Sequence, residues 1–302
     1  MSKEKATRDG FGEGIMELAK DKNIVVLTAD IGGSCRVDKF AEKYPERFFD
    51  VGIAEQNMMG VACGMAMVGK TAFATTFGVF FNRCLDQMRT LVAYQNLNVK
   101  VCASHCGITV GEDGATHQML EDIAIMRALP NFSVIVPCDA NQTKQATIAI
   151  SKLKGPAYLR FGRAKMPNFT EKMKFEIGKS QIMKEGNDVT VIACGIMVNE
   201  ALKAAEKSKK SVRVINIHTI KPIDKDAIIK AAKETKGLIT AEEAFINGGL
   251  GSAVAEVLGE NHPSKLIRVG INDEFGQSGK PDELMKHYHI TADDIVKAIE
   301  NI

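Results

Sequence analysis

The chain has 302 residues, 45% of them hydrophobic and 25% charged. That balance excludes a disordered or collagen-like polypeptide and exceeds what one hydrophobic core ordinarily fills, so two domains are expected. Thirty-nine basic residues stand against thirty-seven acidic ones, for a net charge of +2, and no block of Lys and Arg marks a nucleic-acid or anionic-membrane partner.

The stretch from Met1 to Asp9 carries charges of both signs and no apolar core, unlike a secretory signal. No apolar run reaches the roughly 18 residues a membrane helix needs. Seven cysteines, from Cys35 to Cys194, are odd in number, form no Cys-x-x-Cys pair and lie mostly in apolar stretches. Reduced thiols and a cytoplasmic location are expected from that pattern.

Along the chain, strand and helix signals alternate with short turns, which argues for an α/β fold with mainly parallel sheets flanked by helices. A helix over 8–20 precedes a buried strand over 23–28, and a second helix lies near 38–43, before Pro45. A short strand at 48–51 leads into a helix over 55–68 that has almost no polar face and is therefore expected to be buried on all sides. Gly60 and Gly64 within it read as positions of close helix approach, at a subunit boundary. Strands over 71–76 and 99–103, a helix over 80–94, a long loop from Ser104 to Leu120, a strand at 133–136, a helix over 141–153 and a strand at 157–161 follow. Loops of that length in compact domains are commonly functional. The periodicity breaks between Arg163 and Asn187, which reads as a linker followed by a strand entering a new unit, then restarts with strands at 189–193, 212–216, 237–241 and 267–269 and intervening helices.

Three places could carry chemistry. Glu55 opens the apolar helix; capping the macrodipole is the simpler reading of a lone carboxylate there, but burial would suit it to exchanging a proton with a ring nitrogen. Phe77, Phe80 and Phe81 cluster at the carboxyl end of a strand, where ligands sit in parallel sheets and where a flat ring would stack. The loop from Ser104 to Gln118 gathers His105, Glu112, Asp113 and His117 among glycines. Cys102, His105, Cys106 and His117 are competent metal ligands, yet Cys-x-x-His-Cys lacks the paired spacing of common zinc sites, and no metal ligands are assigned. Asn247-Gly248-Gly249-Leu250-Gly251 superficially matches a phosphate loop but reads better as a turn with close packing. His218, His262, His287 and His289 are assigned surface positions.

Five stretches then align in order: Ala6-Thr7-Arg8; Ile53-Ala54-Glu55-Gln56-Asn57-Met58; Thr76-Phe77-x-x-Phe80-Phe81-x-Arg83-x-x-Asp86-Gln87; Ser104-His105-Cys106-Gly107 continuing through Gly111-Glu112-Asp113-Gly114 to His117-Gln118; and Ser278-Gly279-Lys280-Pro281. Together they resemble transketolase, the thiamine-diphosphate enzyme that moves two-carbon ketol units between sugar phosphates. The resemblance implies a pyrimidine-binding domain over 1–165, a linker over 166–185 and a transketolase C-terminal domain over 186–302. The family's first domain, with its Gly-Asp-Gly and later Asn, has no counterpart here. Glu112-Asp113-Gly114 followed by Asn141 imitates that motif, but Asp113 falls in the family's sugar-binding loop. The resemblance therefore implies half an active site: a β-type subunit of a split transketolase. An N-terminal subunit is expected to carry Mg2+ or Ca2+ and the diphosphate, with a homodimer core inside an α2β2 heterotetramer.

Residue by residue, the resemblance assigns Glu55 to the aminopyrimidine N1′ and Phe77 and Phe80 to ring stacking. It places Arg83 on the rim of that pocket and Asp30 near the cofactor. Arg8, Ser34, His105 and Arg163 match the grip on the sugar phosphate, Asp113 the contact to a substrate hydroxyl, and His117 the group near the donor's C1 hydroxyl. A 2-oxoacid dehydrogenase β subunit, a 1-deoxyxylulose-5-phosphate synthase and a non-catalytic transketolase-like partner protein are the alternatives. The loop from Ser104 to Gln118 fits transketolase best.

Overall fold

The mainly apolar runs Ile24–Thr28, Thr71–Phe77 and Val99–Ser104 each become a strand buried along nearly its whole length, their threonines, Lys100 and Ser104 included. The computed structural model describes residues 4–302 and divides into two units. One unit runs to Cys106 and resumes over Ala128–Ile177; the other comprises Gly107–Arg127 and Gly178–Ile302. Among the described residues no helix is long and apolar enough to cross a membrane.

In the first unit the strands lie in the order Ser133–Ile135, Ala157–Arg160, Val99–Ser104, Thr71–Phe77, Ile24–Thr28, Phe48–Asp50, and every pairing among them is parallel. Phe11, Ile15, Val26, Phe73 and Leu159 meet in its core. Helix Thr7–Leu18 packs on helix Ala140–Ser151 so closely that a Cβ at Gly10 would collide with the Ala140 carbonyl. That contact fixes where the amino end of the first helix, and with it Arg8, enters the fold.

In the second unit the order is Leu266–Ile271, Leu238–Phe245, Val189–Ala193, Val212–Asn216, Gln181–Lys184, parallel except for the last strand, which is antiparallel. Helices Met197–Lys207 and Ala292–Glu300 pack against each other, tied where Ala292 N donates to Glu200 Oε2 at 3.0 Å.

The structure departs from the sequence reading in three places. Helix Glu55–Met67 is not enclosed: Met58, Met59, Ala62 and Cys63 are buried, but Met67 is 68% exposed and a Cβ at Gly60 or Gly64 would meet nothing within 4 Å. An all-apolar helix predicts burial only if the chain itself supplies material for both faces, and within this chain one face has none. The helix expected over 80–94 is instead a 3-10 segment Gly78–Cys84, a short α turn Leu85–Gln87 and a π turn Met88–Ala93. The segment expected as a linker, 166–185, is built into the two units. Lys165–Met166 pairs with Lys5–Ala6, and the wholly buried Asp139 carboxylate accepts from Phe169 N at 2.8 Å and Thr170 N at 2.9 Å. Gln181–Lys184, the outer strand of the second sheet, is where a strand entering the new unit was expected.

Lys100 is fully buried in the middle of the first sheet, its ammonium nitrogen 2.8 Å from Leu153 O and 2.6 Å from Gly155 O, beyond the carboxyl end of helix Ala140–Ser151. Burial pushes its pKa down to about 7, against an ordinary 10.5. Between those values the unfolded chain binds the extra proton, so this group makes stability rise with pH from about 7, by at most ~1.4 kcal/mol per pH unit. The penalty is fully present below about pH 7. Denaturant unfolding at pH 7 and pH 9 is expected to show a smaller gain with pH in Lys100→Met than in the wild type; equal slopes would remove Lys100 from this role.

Candidate active site

Parallel strands point their carboxyl ends to one edge of a sheet, and the loops that leave that edge bring distant residues together. Asp30 and Ser34 follow strand Ile24–Thr28; Glu55 follows Phe48–Asp50; Phe77 ends Thr71–Phe77; His105 follows Val99–Ser104; Arg163 follows Ala157–Arg160. All belong to the first unit.

Four of these residues join Arg8, Phe80 and Arg83 in one continuous line. Arg8 Nη1 donates to Ser34 O at 3.2 Å and lies 3.4 Å from His105 Nε2. The His105 ring, 2% exposed, stacks on Phe77 with centroids 3.8 Å apart, and Phe77 stacks on Phe80 at 5.4 Å. The Arg83 guanidinium carbon lies 5.1 Å from the Phe80 ring centre, and its Nη1 donates to both oxygens of Glu55, at 3.1 and 3.3 Å. Glu55, 4% exposed, closes the line at the first turn of its helix. Since Arg8 can only donate, His105 Nε2 is the acceptor and Nδ1 carries the hydrogen, directed at Ser104 Oγ 2.8 Å away.

The cationic end of the line is stitched by backbone. Thr7 Oγ1 accepts from Gly162 N at 2.7 Å and Arg8 N donates to Gly162 O at 3.2 Å, which sets Arg8 beside the turn that carries half-buried Arg163. Burial first, then the charges of Arg36 and Arg163, push the Arg8 pKa below the ordinary arginine value, against the pull of Asp9. The Arg8 Nε is buried without a hydrogen-bond partner. Arg36, absent from the sequence reading, donates from Nε to Asp9 Oδ1 at 2.7 Å and adds a third guanidinium to this corner. Its only sequence signal was proximity to Ser34. Asp30 is exposed, at a positive φ of 64°, with its N–H bonded to Asp50 Oδ1 at 2.9 Å.

Asp113 and His117 belong to the second unit, on the segment Gly107–Arg127. That segment is held from several sides. Glu243 accepts from Thr109 Oγ1 at 2.8 Å, and Gly107, at a φ of 87°, leaves room for that carboxylate where a Cβ would strike it. Gln118 Nε2 donates to Gln277 O at 2.9 Å, and Ser278 Oγ donates to Glu112 O at 2.6 Å. The late Ser278-Gly279-Lys280-Pro281 stretch thus brackets the loop. Asp113 is exposed, and half-buried His117 bonds Thr116 Oγ1 through Nδ1 at 2.9 Å.

Two other sequence assignments are decided by burial. The glycine stretch before helix Leu250–Asn261 encloses the protein's own anion: Glu242, fully buried, accepts from Leu250 N at 2.7 Å and Gly251 N at 2.8 Å. Close packing, not phosphate binding, explains those glycines. His218, assigned to the surface, is instead fully buried, and burial pushes its pKa down to about 4, leaving a neutral ring whose Nδ1 lies 3.0 Å from Thr219 Oγ1. An apolar strand neighbourhood, Ile215 to Ile220, is the signal that could have placed it inside.

The chain matches known proteins over nearly its full length. A family model described as the transketolase pyrimidine binding domain matches residues 3–168, and one described as the transketolase C-terminal domain matches residues 178–295. A Methanocaldococcus jannaschii protein named as a transketolase C-terminal section is 49% identical over 304 residues, covering 98% of this chain and 95% of that one. A Clostridium protein named as a 6-deoxy-6-sulfo-D-fructose transketolase subunit is 42% identical, covering 98% of this chain and 94% of that one. A solved structure described as a split gene transketolase, an inactive beta4 tetramer, superposes with a TM-score of 0.91 at 45% identity, covering 98% of this chain and 97% of that one. With both domain models matched and these relatives aligned end to end, the chain belongs to the transketolase family.

Proposed function

We propose that this chain is the C-terminal subunit of a split transketolase, which transfers a two-carbon ketol unit between anionic sugars with thiamine diphosphate and works only beside a second chain. The observation that carries the reading is the unbroken line from Ser34 through Arg8, His105, Phe77, Phe80 and Arg83 to Glu55. One end suits an anion, the other a flat heterocycle. The fit to the heterocycle is chemical: a buried carboxylate faces a stacked aromatic pair, and the group now between them, Arg83, is itself planar and donates N–H.

Phe77 and Phe80 would hold the pyrimidine ring by stacking, with Asp30 and Arg83 nearby, and Glu55 would hold a proton at a ring nitrogen. When bound, thiamine diphosphate supplies the carbon nucleophile that carries the two-carbon unit. Arg8, His105, Arg163 and the Ser34 region would orient the anionic end of the sugar, with Arg36 adding to the local positive charge. Asp113 would accept from a substrate hydroxyl and His117 would hydrogen-bond the transferred unit. The relatives' names include both a sulfo-sugar and, in a 38% identical Phocaeicola vulgatus protein, apulose 4-phosphate, so an anionic terminus is the shared substrate feature.

Mg2+ or Ca2+ and the diphosphate would be held by the partner's Gly-Asp-Gly…Asn segment, in an α2β2 assembly. Met67 at the end of helix Glu55–Met67, 68% exposed, with Ile53 and Val68 flanking the helix and each 74% exposed, would offer that assembly an apolar contact surface. The test is an assay of ribose 5-phosphate with xylulose 5-phosphate, thiamine diphosphate and Mg2+. Turnover is expected only when the chain is mixed with a partner bearing that motif, and turnover by this chain alone would overturn the split-enzyme reading.

A further inference from the structure

We infer that Arg83 is a placeholder for the pyrimidine ring: its guanidinium stands in the ring's place between Glu55 and Phe80 and must swing out before the ring enters. The inference rests on the pyrimidine site proposed above. A planar aminopyrimidine there would make two kinds of contact, stacking on an aromatic face and donating an N–H to a carboxylate. Arg83 already makes both, with its guanidinium carbon 5.1 Å from the Phe80 centroid and its Nη1 3.1 and 3.3 Å from the Glu55 oxygens.

Two further features suit a removable group. The Arg83 side chain is 57% exposed while Glu55 is 4% exposed, so the cation can move into water and the carboxylate cannot. The Arg83 backbone is anchored, because Gln56 Nε2 donates to Arg83 O at 3.0 Å. Departure is therefore a side-chain rotation about a fixed point, not a loop rearrangement. Charge makes the two occupants exclusive: a guanidinium left beside Glu55 would set a second cation against a ring that must itself hold a proton. In the chain without cofactor the pair has a clear physical use, since a buried carboxylate with no partner is strongly unfavourable.

Calorimetric titration of thiamine diphosphate with Mg2+ into the assembled complex separates a placeholder from a permanent wall of the pocket, because the two predict opposite signs. Removing an exposed competitor of this kind is expected to tighten binding roughly two- to five-fold in both Arg83→Ala and Arg83→Met. In the isolated chain, Arg83→Ala is expected to lower the melting temperature, and adding Glu55→Gln to recover most of that loss. Unchanged or weaker cofactor binding in both variants, with the wild type binding normally, overturns the placeholder alone. No binding by the wild-type complex overturns the proposed function and the placeholder with it.

Discussion

Glu55→Gln is expected to lower turnover of the assembled complex about 10²- to 10⁴-fold, the usual worth of a positioned acid or base, while the melting temperature changes little. The amide keeps the shape of the side chain and its place at the first turn of helix Glu55–Met67. It can still accept from Arg83 Nη1 through its oxygen, so the contact at 3.1 Å has a neutral substitute. What it cannot do is hold a proton at the pyrimidine nitrogen. Because that interaction belongs to the chemical step, kcat and kcat/KM should fall together. Turnover near the wild-type value would remove Glu55 from the chemistry and leave it as a helix-terminal anion. A large fall in melting temperature would point to the same structural role.

Arg8→Ala is expected to raise KM for phosphorylated sugars by roughly 30- to 150-fold, corresponding to the ~2–3 kcal/mol of a charge-assisted hydrogen bond. With hydroxypyruvate as donor and glycolaldehyde as acceptor, neither of which carries an anionic sugar terminus, the effect on the acceptor KM should be small. The contrast matters because Arg8 also has a structural contact, to the Ser34 carbonyl at 3.2 Å. If that contact were its whole contribution, both substrate pairs would suffer alike. Arg8→Lys keeps the charge but not the planar fork and should fall between the wild type and alanine. The unpartnered Nε of Arg8, inside a corner shared with Arg36 and Arg163, is the reason this position is singled out over Arg163.

Much of the fold was legible because periodicity and apolar runs are local properties. The buried strands over Ile24–Thr28 and Val189–Ala193 follow directly from continuous β-branched and aliphatic residues. The segment Gly78–Ala93 was not legible in detail. Its apolar spacing suits a helix, and Phe81, Cys84 and Met88 are buried, but the turns that carry them are 3-10 and π rather than a regular α-helix. Helix Glu55–Met67 failed in an instructive way, since composition states what a face prefers and not whether this chain supplies a partner for it. His218 failed for the opposite reason: the residue type suggests the surface, the apolar stretch around it was the overlooked signal, and burial between two strands keeps its ring neutral.

By itself the sequence determined the family, most of the order of the elements and a set of candidate residues, because motifs are short and their residues lie close along the chain. Only the tertiary structure decided which of those residues meet. Arg8 and His105 are 97 positions apart, and Glu55 and Arg83 are 28 apart. No local rule pairs them; parallel strands deliver Glu55, Arg83 and His105 beyond their carboxyl ends to one edge, and Arg8 is brought to it by the packing of its helix and its bond to Gly162 O. The near-neutral charge with which the sequence began has the same explanation. A net +2 spread over 302 residues grips nothing, whereas the fold gathers Arg8, Arg36 and Arg163 into one corner.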